Sequence, residues 1–140
     1  MTLHLRILGT PAGQGSAKAY VVGGRARITN TNAKHRSWRT DIVEQTRTQL
    51  PDGFTPYTVP VLCALTFRQA PPKTLTKRER LLPPDRGIDI DKLVRACLDA
   101  LSVAGVWDDD KRVTALAVEK RWADDRHLPG VEIRVAEHTW

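Results

Sequence analysis

The sequence predicts a small α/β domain of the α+β kind. All 140 residues are expected to form one unit, a mixed β-sheet with a basic hairpin and two main helices. Three observations predict it. Apolar residues alternate with period two near both ends of the chain, they recur at helical spacing in two stretches between, and 41% apolar residues in this length suffice for one core.

Leu3, Leu5 and Ile7 alternate with His4 and Arg6 in a first strand, which Gly9-Thr10-Pro11-Ala12-Gly13 ends. Residues 19–22 and 25–29 flank Gly23-Gly24, a dipeptide suited to a two-residue hairpin turn, and carry its arginines. From about Asn32 to Leu50, the residues Trp38, Ile42, Val43 and Leu50 fall near helical spacing with Arg36, Arg39 and Arg47 between them, until Pro51-Asp52-Gly53 stops the helix. Val61, Cys63, Leu65 and Phe67 then alternate with Leu62, Ala64 and Thr66. Both sets are mostly apolar, as in a central strand covered on two sides.

The segment 69–88 differs. Pro71-Pro72 and Pro83-Pro84 bracket Lys73, Lys77, Arg78 and Arg80, and Thr76 with Glu79 has the spacing of a capping box, so one short helical turn belongs there. It reads either as a solvated surface loop or as a mobile arm that touches DNA backbone. From Asp89 to Ala104, Leu93, Val94, Cys97, Leu98 and Leu101 form one apolar helical stripe, and Gly105 stands where the C-cap belongs. Val113 to Val118 reads as a buried strand. A polar turn around Asp124-Asp125 and Pro129-Gly130 then leads into a last strand, where Val131, Ile133 and Val135 alternate with Glu132 and Arg134.

Charge narrows the function. The chain carries a formal +6 and a pI near 9.7, which suits a polyanionic partner. Residues 1–50 contribute +6, 51–88 contribute +3 and 89–140 contribute −3, so the acids gather in the last third. A nuclease needs both, a basic surface for phosphates and carboxylates for the cation that helps to cut them. Cys63 and Cys97 sit in apolar stretches without the paired spacing of a zinc site, and the four histidines are scattered, so buried thiols are expected and no zinc cluster. No apolar run approaches the roughly 18–20 residues of a membrane span. Met1 to Arg6 lacks the apolar core of a signal peptide. A soluble cytoplasmic protein without membrane or organic cofactor is expected.

Asp89 and Asp91 can converge only if they precede the helix, because residues i and i+2 share a side in extended chain but diverge by about 200° in a helix. Acids at a helix N-terminus also favour the dipole, so a capped helix and a metal pair are both open readings. Asp108, Asp109 and Asp110 follow the apolar approach Gly105-Val106-Trp107. They read as a solvated turn, or as acids projecting from a packed edge toward that pair. Three carboxylates brought together would raise one another's pKa unless a cation neutralised them, and Mg²⁺ suits such oxygen ligands.

The run Asp89-Ile90-Asp91-Lys92-Leu93-Val94-Arg95-Ala96, then Leu98-Asp99-Ala100-Leu101, Ala104-Gly105-Val106-Trp107, Asp109-Asp110, Val113 and Lys120 resembles the signature of the RusA family of Holliday junction resolvases. The resemblance implies a homodimer that cuts opposing strands of branched DNA at a four-way junction, with Mg²⁺ (or Mn²⁺ in its place). It implies that Asp89, Asp91 and Asp110 are the catalytic, metal-binding carboxylates, with Asp109 the weaker member of the double acid and Asp108 at an open position. Lys92 stands where the family has Asn, and Arg95 where it often has a catalytic Lys. Arg95 keeps the charge and can grip phosphate with two donors, but it cannot shuttle a proton. It equally suits a helical ion pair with Asp91, four residues before it. Lys120 matches a family lysine beside the site, and with Arg95 would offset charge on the phosphate oxygens.

Lys18, Arg25, Arg27 and Lys92 are candidates for DNA contacts, with Arg36 and Arg39 behind them. Trp38 and Trp107 read as core or interface residues rather than stacking platforms. Two other functions fit parts of the pattern: a DNA-binding regulator without catalysis, and another metal-dependent phosphohydrolase. Against the latter, no GxxxxGK[ST] phosphate loop is present.

Overall fold

A computed structural model describes residues 1–14, 18–22, 25–29 and 33–140, with side chains described for 1–14 and 36–140. Strand β1 (Thr2–Leu8) buries Leu3, Leu5 and Ile7 and exposes most of the residues between, as its alternation requires. Strands β2 (Lys18–Val22) and β3 (Arg25–Thr29) pair antiparallel as a separate ribbon, and the Gly23-Gly24 turn falls outside the described residues. The backbone register sets positions 18, 25 and 27 on one face of that ribbon.

Helix α1 (Ala33–Gln49), strand β4 (Val61–Gln69), helix α2 (Ile90–Ala104), strand β5 (Val113–Trp122) and strand β6 (Gly130–Glu137) complete the fold. The main sheet runs β1-β6-β4-β5. It is mixed, as expected. β6 lies antiparallel to β1 and β4, while β4 and β5 are parallel because α2 carries the chain back between them. Both helices lie on one face. Trp38 and Ile42 of α1 and Leu93, Cys97 and Leu101 of α2 meet Leu5, Ile7, Leu65, Phe67, Ile133 and Val135 from the strands in a continuous core. Trp107 joins it and donates its indole N–H to Ser102 Oγ at 2.7 Å. No helix among the described residues is long and apolar enough to cross a membrane.

Two strand expectations need correction. β4 is central, yet covered by helices on one face only. Leu62, Ala64, Thr66 and Arg68 on the other face are half-buried, sheltered by neighbouring strands rather than by a second layer. β5 is not the buried strand its apolar run suggested. It forms an edge of the sheet among the described residues, with Leu116 46% exposed because α2 overhangs only part of the inner face, and Ala117 open on the opposite face.

The other edge is closed. The side-chain amide of Gln45 accepts from Leu8 N–H at 2.8 Å and donates to Leu8 O at 2.7 Å. Gln49 does the same for Arg6, at 2.9 and 2.7 Å. Two glutamines one helical turn apart thus mimic a neighbouring strand and occupy backbone groups on the outer side of β1.

Candidate active site

The acid pair is set by the backbone before it. Gly87 has φ +91°, and a Cβ there would collide with the side-chain amide of Gln69, so the turn into the pair requires glycine. Lys120 on the inner face of β5 reaches across and donates from Nζ to Ile88 O at 3.0 Å and to Arg86 O at 3.4 Å. Asp89 then takes the N-cap position, extended at φ −60° and ψ 138°, and its carbonyl accepts from Leu93 N–H at 3.1 Å.

Its carboxylate makes no cap hydrogen bond. It faces Lys92 Nζ at 3.6 Å instead. Asp91 lies in the first turn, exposed, with no ion pair to another described residue. The helix therefore starts without a side-chain capping hydrogen bond from Asp89, and what remains of the capped-helix reading is the favourable place of both acids at the positive end of the helix dipole.

The acids after α2 divide their work. The chain reaches them through a packed edge, where Tyr57 N–H donates to Val106 O at 2.9 Å and Asp108 N–H to Tyr57 O at 3.2 Å. Asp108 grips Arg112 with both oxygens, at 2.7 and 2.8 Å. The Arg112 guanidinium holds the Asp108 carboxyl below its ordinary range. Asp109 caps the one-turn 3₁₀ helix Asp110–Arg112 by accepting from Lys111 N–H at 2.8 Å. Asp110 has neither duty. Asp110 is exposed, yet desolvation raises its pKa, and the charge of Asp109, a hydrogen bond with the Asp109 side chain and the charge of Asp99 add to the rise.

Two depressions meet at Asp91. A cleft of about 910 Å³ runs between the 80–84 segment and β5, with Asp89, Asp91 and Lys120 in its lining. A narrower groove of about 490 Å³ lies between α2 and β5 and carries Asp91, Arg95, Asp99 and Asp110 around Leu98 and Leu116. Asp91 is common to both. As they stand, no three carboxylate, histidine or cysteine side chains among the described residues form a ready metal-holding group. All three candidate acids are exposed side chains that can rotate, and an all-carboxylate set suits Mg²⁺ rather than Zn²⁺.

Arg95 is exposed in the groove and forms no ion pair with Asp91 within 4 Å, so its charge stays available between three acids. Gly13 packs against Ile88 and Lys92, and Gln14 N–H donates to Lys92 O at 3.2 Å, which roots the segment leading to the hairpin beside the site. The side chains of Lys18, Arg25 and Arg27 lie outside the described residues. Arg36 and Arg39 are exposed on α1. Sequence reasoning missed Asp99 and the cleft's Arg68 and Trp122, while Arg80, read as part of a possible DNA-contacting arm, lines the same cleft. For Asp99 a signal existed: residues 91, 95 and 99 are spaced four apart and share a helical face.

The family model for endodeoxyribonuclease RusA matches residues 9–136. This chain belongs to the RusA family. The match extends the resemblance carried by residues 89–120 over the hairpin strands, α1, β4 and nearly all of β6, and leaves only β1 outside it. RusA-family proteins are endodeoxyribonucleases, hydrolases that resolve Holliday junctions. No curated protein matches the chain. In this RusA-family nuclease the acids, Arg95 and Lys120 all stand on the β5 side of the sheet, opposite the edge that α1 closes.

Proposed function

We propose that this nuclease is a homodimer that resolves four-way DNA junctions in recombination and repair, cutting opposing strands symmetrically with Mg²⁺, or Mn²⁺ in its place, held by Asp89, Asp91 and Asp110. One observation carries the assignment: Asp108 and Asp109 are tied into an ion pair and a cap, whereas Asp91 and Asp110 face the groove without such ties. Asp89 flanks them with a carboxylate that leaves the helix uncapped.

A divalent cation, when bound, supplies Lewis acidity and lowers the pKa of a water that can attack phosphorus in line. The chain does the rest. Asp91, shared by cleft and groove, holds the position about which the other two acids close. Lys120 fixes the carbonyl before Asp89 and so orients the pair, with one ammonium donor left for phosphate. Arg95 offers two donors to the non-bridging oxygens of the scissile phosphate as their charge grows. Lys18, Arg25, Arg27 and Lys92 grip backbone phosphates on either side. Hydrolysis with departure of the 3′ oxygen leaves 5′ phosphate and 3′ hydroxyl ends that a ligase can rejoin.

The two sheet edges support the dimer. β1 is closed by Gln45 and Gln49, while among the described residues no strand lies on the outer side of β5. An open edge suits pairing with a second copy about a two-fold axis, which would bring two acid sites to opposing strands.

The test is cleavage of a labelled four-way junction beside a linear duplex of the same sequence, in Mg²⁺ and in EDTA, by wild type and Asp91→Asn. Paired nicks in the junction alone, dependent on Mg²⁺ and lost in Asp91→Asn while binding survives, are expected. Equal cutting in EDTA, or by Asp91→Asn, would sink the assignment.

A further inference from the structure

Residues 80–84 of the segment 72–86 form one wall of the cleft and include two leucines outside the core. Leu81 is 86% exposed and Leu82 58%. Their exposure is built. Glu79 N–H donates to Thr76 Oγ1 at 3.1 Å and Thr76 N–H to Glu79 Oε1 at 3.2 Å, the reciprocal pair of a capping box that starts the one-turn 3₁₀ helix Glu79–Leu81. Arg86 braces Glu79 from the far side at 3.4 Å. Leu75 and Pro84 are buried at the two ends of the turn. A turn anchored at both ends thus holds two apolar side chains in water, on the wall facing Asp89 and Asp91.

The charge around the tip says what it meets. Lys73, Lys77, Arg78 and Arg80 are exposed, and none forms an ion pair with another described residue. Cations flanking an apolar tip beside a carboxylate cleft match phosphates flanking bases, not an acidic protein surface. In continuous duplex the base faces are stacked on one another and give leucine nothing to cover. At a branch point the stack is interrupted, and an apolar side chain can take the place of the missing neighbour.

We propose that Leu81 and Leu82 pack against bases unstacked at the branch point, making the 72–86 wall the part of the nuclease that distinguishes branched from continuous DNA. This rests on branched DNA being the substrate. The leucines replace base stacking on one side of the opening while Arg80 and its neighbours hold the adjoining phosphates. The branch point is thereby kept next to Asp89 and Asp91.

The test uses a four-way junction with 2-aminopurine at the branch point, bound in Ca²⁺, by wild type and by Leu81→Ala/Leu82→Ala. Both leucines are exposed, so the variant should melt as wild type does. Fluorescence should rise with wild type and stay near its free value with the variant. The variant's preference for junction over duplex should fall by at least roughly ten-fold, the loss expected when even one of the two leucines is buried against a base. The same fluorescence rise with both proteins overturns the proposal, as does a change in sedimentation of the variant, which would make the tip a protein contact. Cleavage of this junction by wild type in Mg²⁺ separates the two claims. Cutting without a leucine-dependent rise sinks the wedge alone, a leucine-dependent rise without cutting sinks the catalytic reading alone, and no junction binding at all sinks both.

Discussion

The two edges of the main sheet solve the same problem in opposite ways. Both expose a row of backbone donors and acceptors that invites pairing. At β1 the amides of Gln45 and Gln49 take up that row, and the edge becomes part of the fold. At β5 the described structure places no strand beside it, and the inner face carries Leu116 into a groove with Asp91, Arg95 and Asp110. The difference separates stability from function: substitutions at the closed edge should act on folding, and those at the open edge on cutting or assembly.

The sharpest break between the edges is at the acids. Asp91→Asn should lower junction cleavage roughly a hundred- to a thousand-fold, since a carboxylate holding a catalytic cation contributes several kcal/mol at the transition state. Its melting temperature should stay within a few degrees of wild type, because Asp91 has no ion pair with another described residue and only the weak helix-dipole interaction is lost. Lys120→Met should cost about ten- to a hundred-fold in cleavage, the range for residues that orient metal ligands. DNA binding should change little in that variant. If Lys120→Met instead weakens binding as much as cutting, the lysine is a phosphate contact and not a positioning residue.

On the closed edge, Gln45→Ala should destabilise the fold by about 1 kcal/mol, the net value of the hydrogen bonds it removes, with the cleavage rate unchanged. A loss of cutting in that variant at a temperature where it remains folded would erase the distinction between the edges. A smaller effect falls on Asp108. Its folded pKa is lowered by Arg112, so its stabilising contribution is present above the ordinary carboxylate pKa and is lost as pH falls through the lowered value. Wild type should therefore lose melting temperature relative to Asp108→Asn only in that acid range. Smallest of all, Cys63 and Cys97 should not react with a thiol reagent at pH 8 until the protein unfolds. Burial pushes Cys63 up to about 12 and raises Cys97 well above its ordinary value.

The parts of this molecule that were legible in the sequence are those fixed by local rules. The stripe from Leu93 to Leu101 with Gly105 after it specified α2, the alternation at Leu3, Leu5 and Ile7 specified β1, and Thr76 with Glu79 specified the capped turn. What escaped depends on which strands become neighbours. An apolar run such as Val113 to Val118 looks the same at a sheet's centre and at its edge, and only the order β1-β6-β4-β5 makes it an edge. The two-sided cover expected of β4 failed for the same reason, since both helices settled on one face.

At the site, residue types and spacing pointed to a stretch of chain, but could not separate the aspartates within it. Three consecutive aspartates are chemically alike. Arg112 and Lys111 N–H, arriving with the 3₁₀ turn, bind the first two and leave the third. Lys120's hold on Ile88 O is likewise a product of β5 lying parallel to β4, with residue 120 on the inner face opposite Phe67.

That division within the acid run is where the account is most exposed. The measurement is the rate of junction cleavage in Mg²⁺ by Asp108→Asn, Asp109→Asn and Asp110→Asn, each beside wild type at a pH where all are folded. Asp110→Asn should lose roughly a hundred-fold or more, while Asp108→Asn and Asp109→Asn stay within about ten-fold of wild type. Wild-type cutting by Asp110→Asn, or an equal loss in all three, would contradict the assignment of Asp110 as the carboxylate that works with Asp89 and Asp91.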